Sequence, residues 1–112
     1  MLAVAFPLAA LHPERGKVYK IGNGVSTPRL IEKHEPEYTQ EAKDAKIEGS
    51  VLLSTVIDVD GYVRDIKVLR SLDPGLDANA VSAVATWVFK PAEKDGQPVA
   101  VSAHIEVNFR LQ

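Results

Sequence analysis

Asp58 and Asp60, two residues apart and followed by Gly61, have the spacing at which a calcium-binding loop begins. Such a loop needs further oxygen ligands and a bidentate glutamate downstream, and neither follows at the required spacing. An Asp-Gly pair between two β-rich runs is the dipeptide of a tight hairpin turn, which accounts for the same residues. His12, His34 and His104 are scattered, with no His or Asp beside them at ligand spacing. No serine sits in a Gly-x-Ser-x-Gly setting, and there is no cysteine to act as nucleophile, thiolate ligand or disulfide partner. Gly22-Asn23-Gly24 is too short and isolated for a phosphate cradle. The expectation is a non-enzymatic protein with no metal and no cofactor.

Composition narrows the classes further. An apolar content of 46% with 25% charged residues is that of a globular chain, and 112 residues suffice for one core without staples. A net charge of -2, with no basic stripe and few aromatics between cations, argues against a nucleic-acid partner. No stretch reaches the ~20 apolar residues that span a bilayer. Residues 1–11 are apolar but interrupted by Pro7 and lack a positive flank. Two readings stay open for them: the tail of a signal or anchor segment, or a terminus that frays or covers a sheet. The organisation expected is a segment or linker over residues 1–24 and one domain over 25–112.

The elements that must position any site are legible along that domain. Residues 50–59 and 62–70 are β-rich and meet at Asp60-Gly61, so a two-residue type I′ hairpin is expected. That turn pairs Val59 with Tyr62, Ile57 with Arg64, Thr55 with Ile66 and Leu53 with Val68. Val51, Leu53, Ile57, Ile66 and Val68 then form a core face. Leu52, Val56, Val63 and Leu69 fall on the other face, which needs a cover such as the N-terminal segment or a second subunit. A short helix follows Thr39 as cap, with Tyr38, Ala42 and Ala45 inward and Gly49 as its stop. Leu76, Ala80, Ala83, Val84 and Trp87 recur at helical offsets, Asp73-Pro74 and Asp77 suit the first turn, and Pro91 forbids continuation past Phe89. Leu76, Ala80, Val84, Trp87, Phe89 and Pro91 make up the structural core motif. After a turn at Asp95-Gly96, Val99, Val101, Ala103, Ile105, Val107 and Phe109 alternate with Ser102, His104, Glu106 and Asn108, a half-buried strand. The fold class expected is α+β: a three-stranded antiparallel sheet of order 2-1-3 with two helices packed on one face. The third strand lies on an edge, with a row of main-chain groups free to pair.

Gly49-x-Val51, Asp60-Gly61, Ser71, Leu76-Asp77-x-x-Ala80, Trp87-x-Phe89-x-Pro91-Ala92, Asp95-Gly96-x-Pro98-Val99 and Phe109 occur in an order and spacing that resembles the C-terminal domain of the TonB family of energy transducers. The resemblance runs from about Val25 to Leu111. Thr39 stands where the family usually has Pro, and Val88 replaces a usual basic residue. The resemblance implies a periplasmic module of a Gram-negative envelope, tethered to the inner membrane in the full-length protein. It implies proton-driven inner-membrane motor proteins as partners through an N-terminal anchor, and transmembrane transport as the task. The sequence contains no such anchor and no Pro-rich linker, so the expectation is an excised domain or a module used for binding alone. The partner implied at the domain itself is the TonB box, an extended peptide of an outer-membrane receptor, added by β-augmentation to the third strand. The expected peptide-binding edge is Val101, Ser102, Ala103, His104, Ile105, Glu106, Val107, Asn108 and Phe109. A homodimer, or docking inside a larger envelope protein through the same edge, is the alternative.

Overall fold

The computed structural model describes residues 16–112. The readings of residues 1–11 and of His12 lie outside the described residues. Among the described residues seven strands and two helices follow one another: β1 (Val18–Lys20), β2 (Arg29–Glu32), α1 (Gln40–Asp44), β3 (Gly49–Ile57), β4 (Val63–Arg70), α2 (Pro74–Val84), β5 (Val88–Lys90), β6 (Ala92–Lys94) and β7 (Gln97–Phe109). The sheet is therefore larger than the three strands expected. Its path is β1-β7-β3-β4 with β6 also on β7, and a separate pair is formed by β2 and β5. β3 is antiparallel to both long neighbours, whereas β1 runs parallel to β7. The short strands β5 and β6 escape a sequence reading because three residues are too few to establish a period.

One face of the sheet carries the core. Val51, Leu53, Thr55 and Ile57 of β3 and Val101, Val107 and Phe109 of β7 are buried there, with Ala42 of α1 and Leu76, Ala80 and Val84 of α2 packed over them. Thr55 is tolerated among apolar neighbours because its hydroxyl donates to the Ala103 carbonyl at 2.8 Å. α1 is short and capped by Thr39, whose Oγ1 accepts from the Ala42 amide at 3.0 Å. Ala45, expected inward, is exposed, because the helix ends at Asp44. Lys46, at φ +55°, makes the left-handed stop expected at Gly49. Gly49 instead opens β3, where a Cβ would lie 2.8 Å from Leu72 Cδ1.

The Asp60-Gly61 hairpin differs from expectation in an instructive way. Gly61 N donates to Asp58 O and Asp58 N to Tyr62 O, both at 2.9 Å, and of the two central residues only Gly61 has positive φ, at +87°. This is a three-residue loop, a type I turn closed by a glycine bulge, and not a type I′ turn. It slips the pairing by one, so Ile57 faces Val63 and Val56 faces Arg64. Val63 is thereby turned into the core, against the face expected for it. Asp65, at φ +53°, then absorbs one extra residue as a bulge, and the expected pair of Leu53 with Val68 is recovered. Val68 nonetheless stays 39% exposed, at the outer side of the sheet. The type I′ signature, positive φ at both central residues, appears at the other Asp-Gly, where Asp95 and Gly96 have φ of +52° and +77° between paired Lys94 and Gln97.

Candidate functional site

The candidate site is the outer edge of β7, and the main chain decides which of its groups are available. Asp58 N bonds to β4 at Tyr62 O, and main-chain groups alternate sides along a strand. The even-numbered residues of β3 therefore turn toward β4 and the odd-numbered ones toward β7. β3 and β7 pair in unbroken register from Gly49 with Phe109 to Ile57 with Val101. Odd-numbered residues of β7 are thus bonded to β3, and the groups of Ser102, His104, Glu106 and Asn108 point away from it. Their side chains stand on the sheet face opposite the helices and are exposed. Among the described residues no strand pairs with this side of β7 beyond Ser102.

The nine residues expected to form the edge are therefore not equivalent. Val101 and Ser102 sit beside β1, in a parallel pairing of Val18 with Ala100, Tyr19 with Val101 and Lys20 with Ser102. Ala103, Ile105, Val107 and Phe109 hold the strand to β3 and the core, leaving His104, Glu106 and Asn108 as the open row. Glu106 accepts from Ser50 Oγ at 3.2 Å and lies 3.6 Å from the Arg70 guanidinium, so its carboxylate sits on the open face with both neighbours in reach. His104 faces Ser54 on the same surface.

The remaining motif residues form one continuous support. Gly61 O accepts the Phe89 amide at 2.9 Å, and a Cβ on Gly61 would fall 2.0 Å from the Phe89 carbonyl oxygen. The hairpin tip is thereby docked on β5. Trp87 and Phe89 are buried with ring centroids 6.5 Å apart, and Trp87 Nε1 donates to His34 O at 2.8 Å. Pro91 separates β5 from β6. Phe109 meets the Tyr38 ring edge-on at 5.5 Å, and the Tyr38 hydroxyl donates to Ile47 O at 2.7 Å. Asp77, in sequence only a carboxylate suited to a first helical turn, has a larger role. It accepts from the Ser71 hydroxyl, from the Leu72 amide at 2.9 Å and from the Asp73 amide at 3.3 Å, tying the end of β4 to α2. Burial works to raise its pKa, but these three bonds outweigh it and hold the carboxyl below its ordinary range.

Of the residues whose types suggested chemistry, Asp58, Asp60 and His34 are otherwise engaged. Asp58 accepts from Val59 N at 2.8 Å and from Arg64 Nε at 2.7 Å, and Asp60 accepts from Tyr62 N at 3.0 Å. The bond to Asp58 is the main cause that raises the Arg64 pKa. His34 lies between Thr86 Oγ1 at 2.9 Å and Glu32 Oε2 at 3.2 Å. Sequence reasoning missed β1 altogether as part of the site. The sequence carries only a short extended piece there, around residues 18–21, which no spacing connects to β7.

Comparison with known proteins bears on the family and the fold. Residues 34–111 match the family model described as Gram-negative bacterial TonB protein C-terminal. The Protein TonB of Vibrio cholerae is 32% identical over 90 residues, covering 79% of this chain and 37% of that protein. The Protein TonB of Escherichia coli K12 is 26% identical over 84 residues, covering 74% of this chain and 35% of that protein. The chain thus spans little more than a third of the curated relatives it matches. A solution NMR structure of the Pseudomonas aeruginosa TonB C-terminal domain superposes with a TM-score of 0.58 at 26% identity, covering 81% of this chain and 92% of that one.

Proposed function

The chain belongs to the family of Gram-negative bacterial TonB protein C-terminal domains, and from that premise we propose that the open row of β7 captures an extended peptide, the TonB box of an outer-membrane transporter. The observation that carries this reading is the row of outward N–H and C=O groups at His104, Glu106 and Asn108, on a strand with no bulge against β3. A captured strand completes those bonds at little conformational cost to the domain, because β7 is already paired along β3 without a break. Main-chain pairing supplies the affinity, and Ser102, His104, Glu106 and Asn108 tune which side chains are accepted. The reading is non-enzymatic. In it the module works in the periplasm, tethered through an inner-membrane anchor to proton-driven motor proteins, and couples their energy to transport. The buried Trp87, Phe89 and Phe109 keep the sheet rigid while the peptide is pulled.

The test is an amide NMR titration with short extended peptides, ten residues long, that carry TonB-box sequences. Shifts should concentrate on residues 102–108. Glu106→Pro removes one outward N–H without touching a β3 bond, so it should weaken binding at least ~10-fold while the fold survives. Glu106→Ala, which keeps that N–H, should bind within a few-fold of the parent chain. Equal binding by the proline variant, or shifts mapping elsewhere, would sink the edge-capture mode. Slow exchange at these amides that vanishes on dilution would point instead to pairing between two copies.

A further inference from the structure

β1 already does to β7 what the proposed peptide would do. In a parallel ladder the residue facing Val101 bonds to the residues on either side of it, so Tyr19 takes the outward groups of Ala100 and Ser102. These belong to the same row that continues, open, through His104, Glu106 and Asn108. The strand doing this is minimal. It has three residues, Val18 is 39% exposed, and Gly16 and Gly22 flank it with open space around each. Within it Tyr19 is the half-buried residue, packed against the core, with Lys17 Nζ at 4.7 Å and Lys94 Nζ at 5.8 Å from its ring centroid, and the chain is next held at Val25, which is buried and bridged to Lys94. Lys94 belongs to β6 and stays in place if β1 leaves. The vacated seat would then be an apolar position beside Val101 with a cation over its mouth, which suits an aromatic side chain.

We propose that Val18–Lys20 is a built-in, displaceable occupant of the capture edge. A segment longer than the open row takes its place, seating an aromatic or large apolar residue where Tyr19 lies. The partner in this step rests on the capture reading above. The opening of β1 does not, and it has its own readout.

Hydrogen exchange on the full chain reads that opening directly. The Ser102 amide, bonded to β1, should be at least ~10-fold less protected than those of Ala103 and Val107, which are bonded to β3. Equal protection would make β1 an integral strand and overturn the proposal. Displacement is then read with a ten-residue extended peptide carrying one tyrosine. Tyr19→Ala frees the edge and should tighten its Kd by ~3–10-fold, since the competent state no longer competes with β1. Unchanged protection at Val107 certifies that this variant is folded. If both proteins bind equally, capture stands and displacement falls; if neither binds, capture falls and displacement with it.

Discussion

The two flanks of β3 are built on opposite plans. Toward β4 the register breaks twice, at Asp65 and again between Leu52 and Leu53. That flank is also locked at both ends, by Gly61 on Phe89 and by Asp77 on the residues that follow β4. Toward β7 the pairing runs without interruption, and nothing described covers the far side beyond Ser102. The β4 outer edge is bent by its bulges and carries the exposed cations Lys67 and Arg70, features that discourage a further strand. The β7 edge keeps an unbroken register and offers its main chain. Irregularity protects one edge, and regularity leaves the other able to pair.

The sharpest way to break this asymmetry is at the locked end. Gly61→Ala must hold positive φ and place a Cβ inside the Phe89 carbonyl, so a loss of about 3 kcal/mol or more is expected in chemical denaturation. Next comes Asp77→Asn, which weakens charge-assisted bonds at the junction of β4 and α2 and should cost ~1–2 kcal/mol near neutral pH. Because the folded carboxyl is held below its ordinary pKa, its contribution is complete above that ordinary value and is lost as pH falls through the lowered one. The gap between Asp77→Asn and the parent chain should therefore close in acid, and a gap independent of pH would contradict the assignment. The smallest effect is expected at the matching turn on the open flank. Gly96→Ala meets nothing within 4 Å, so only its positive φ is penalised, by ~1 kcal/mol. Equal losses at Gly61 and Gly96 would show that the hairpin tip is not docked as described.

Much of the site is legible in the sequence alone. The alternation from Val101 to Phe109 marks a strand with one buried face, and Leu76, Ala80 and Val84 mark the helix face that covers it. Asp77 is visible there only as a residue suited to a helix start, since its partners at Ser71, Leu72 and Asp73 depend on how the chain turns between β4 and α2. Of the edge, the side chains can be read but the occupancy cannot. Tyr19 and Val101 are brought together by chain return, which no local period encodes.

The two Asp-Gly turns mark the same boundary. Sequence alone determined that each is a turn, because glycine takes positive φ freely and aspartate bonds its own following amides. Which turn each becomes was decided by tertiary contact. Asp95-Gly96 stands in open space and takes the type I′ form that flanking strands favour on their own. Asp60-Gly61 is held by the bond from Phe89, and there the backbone adopts a type I turn with a glycine bulge. The resulting slip of one residue, repaired at Asp65, decided which side chains of β4 enter the core. Local preference specifies a small menu of conformations separated by about 1 kcal/mol, and a single long-range hydrogen bond is enough to choose among them.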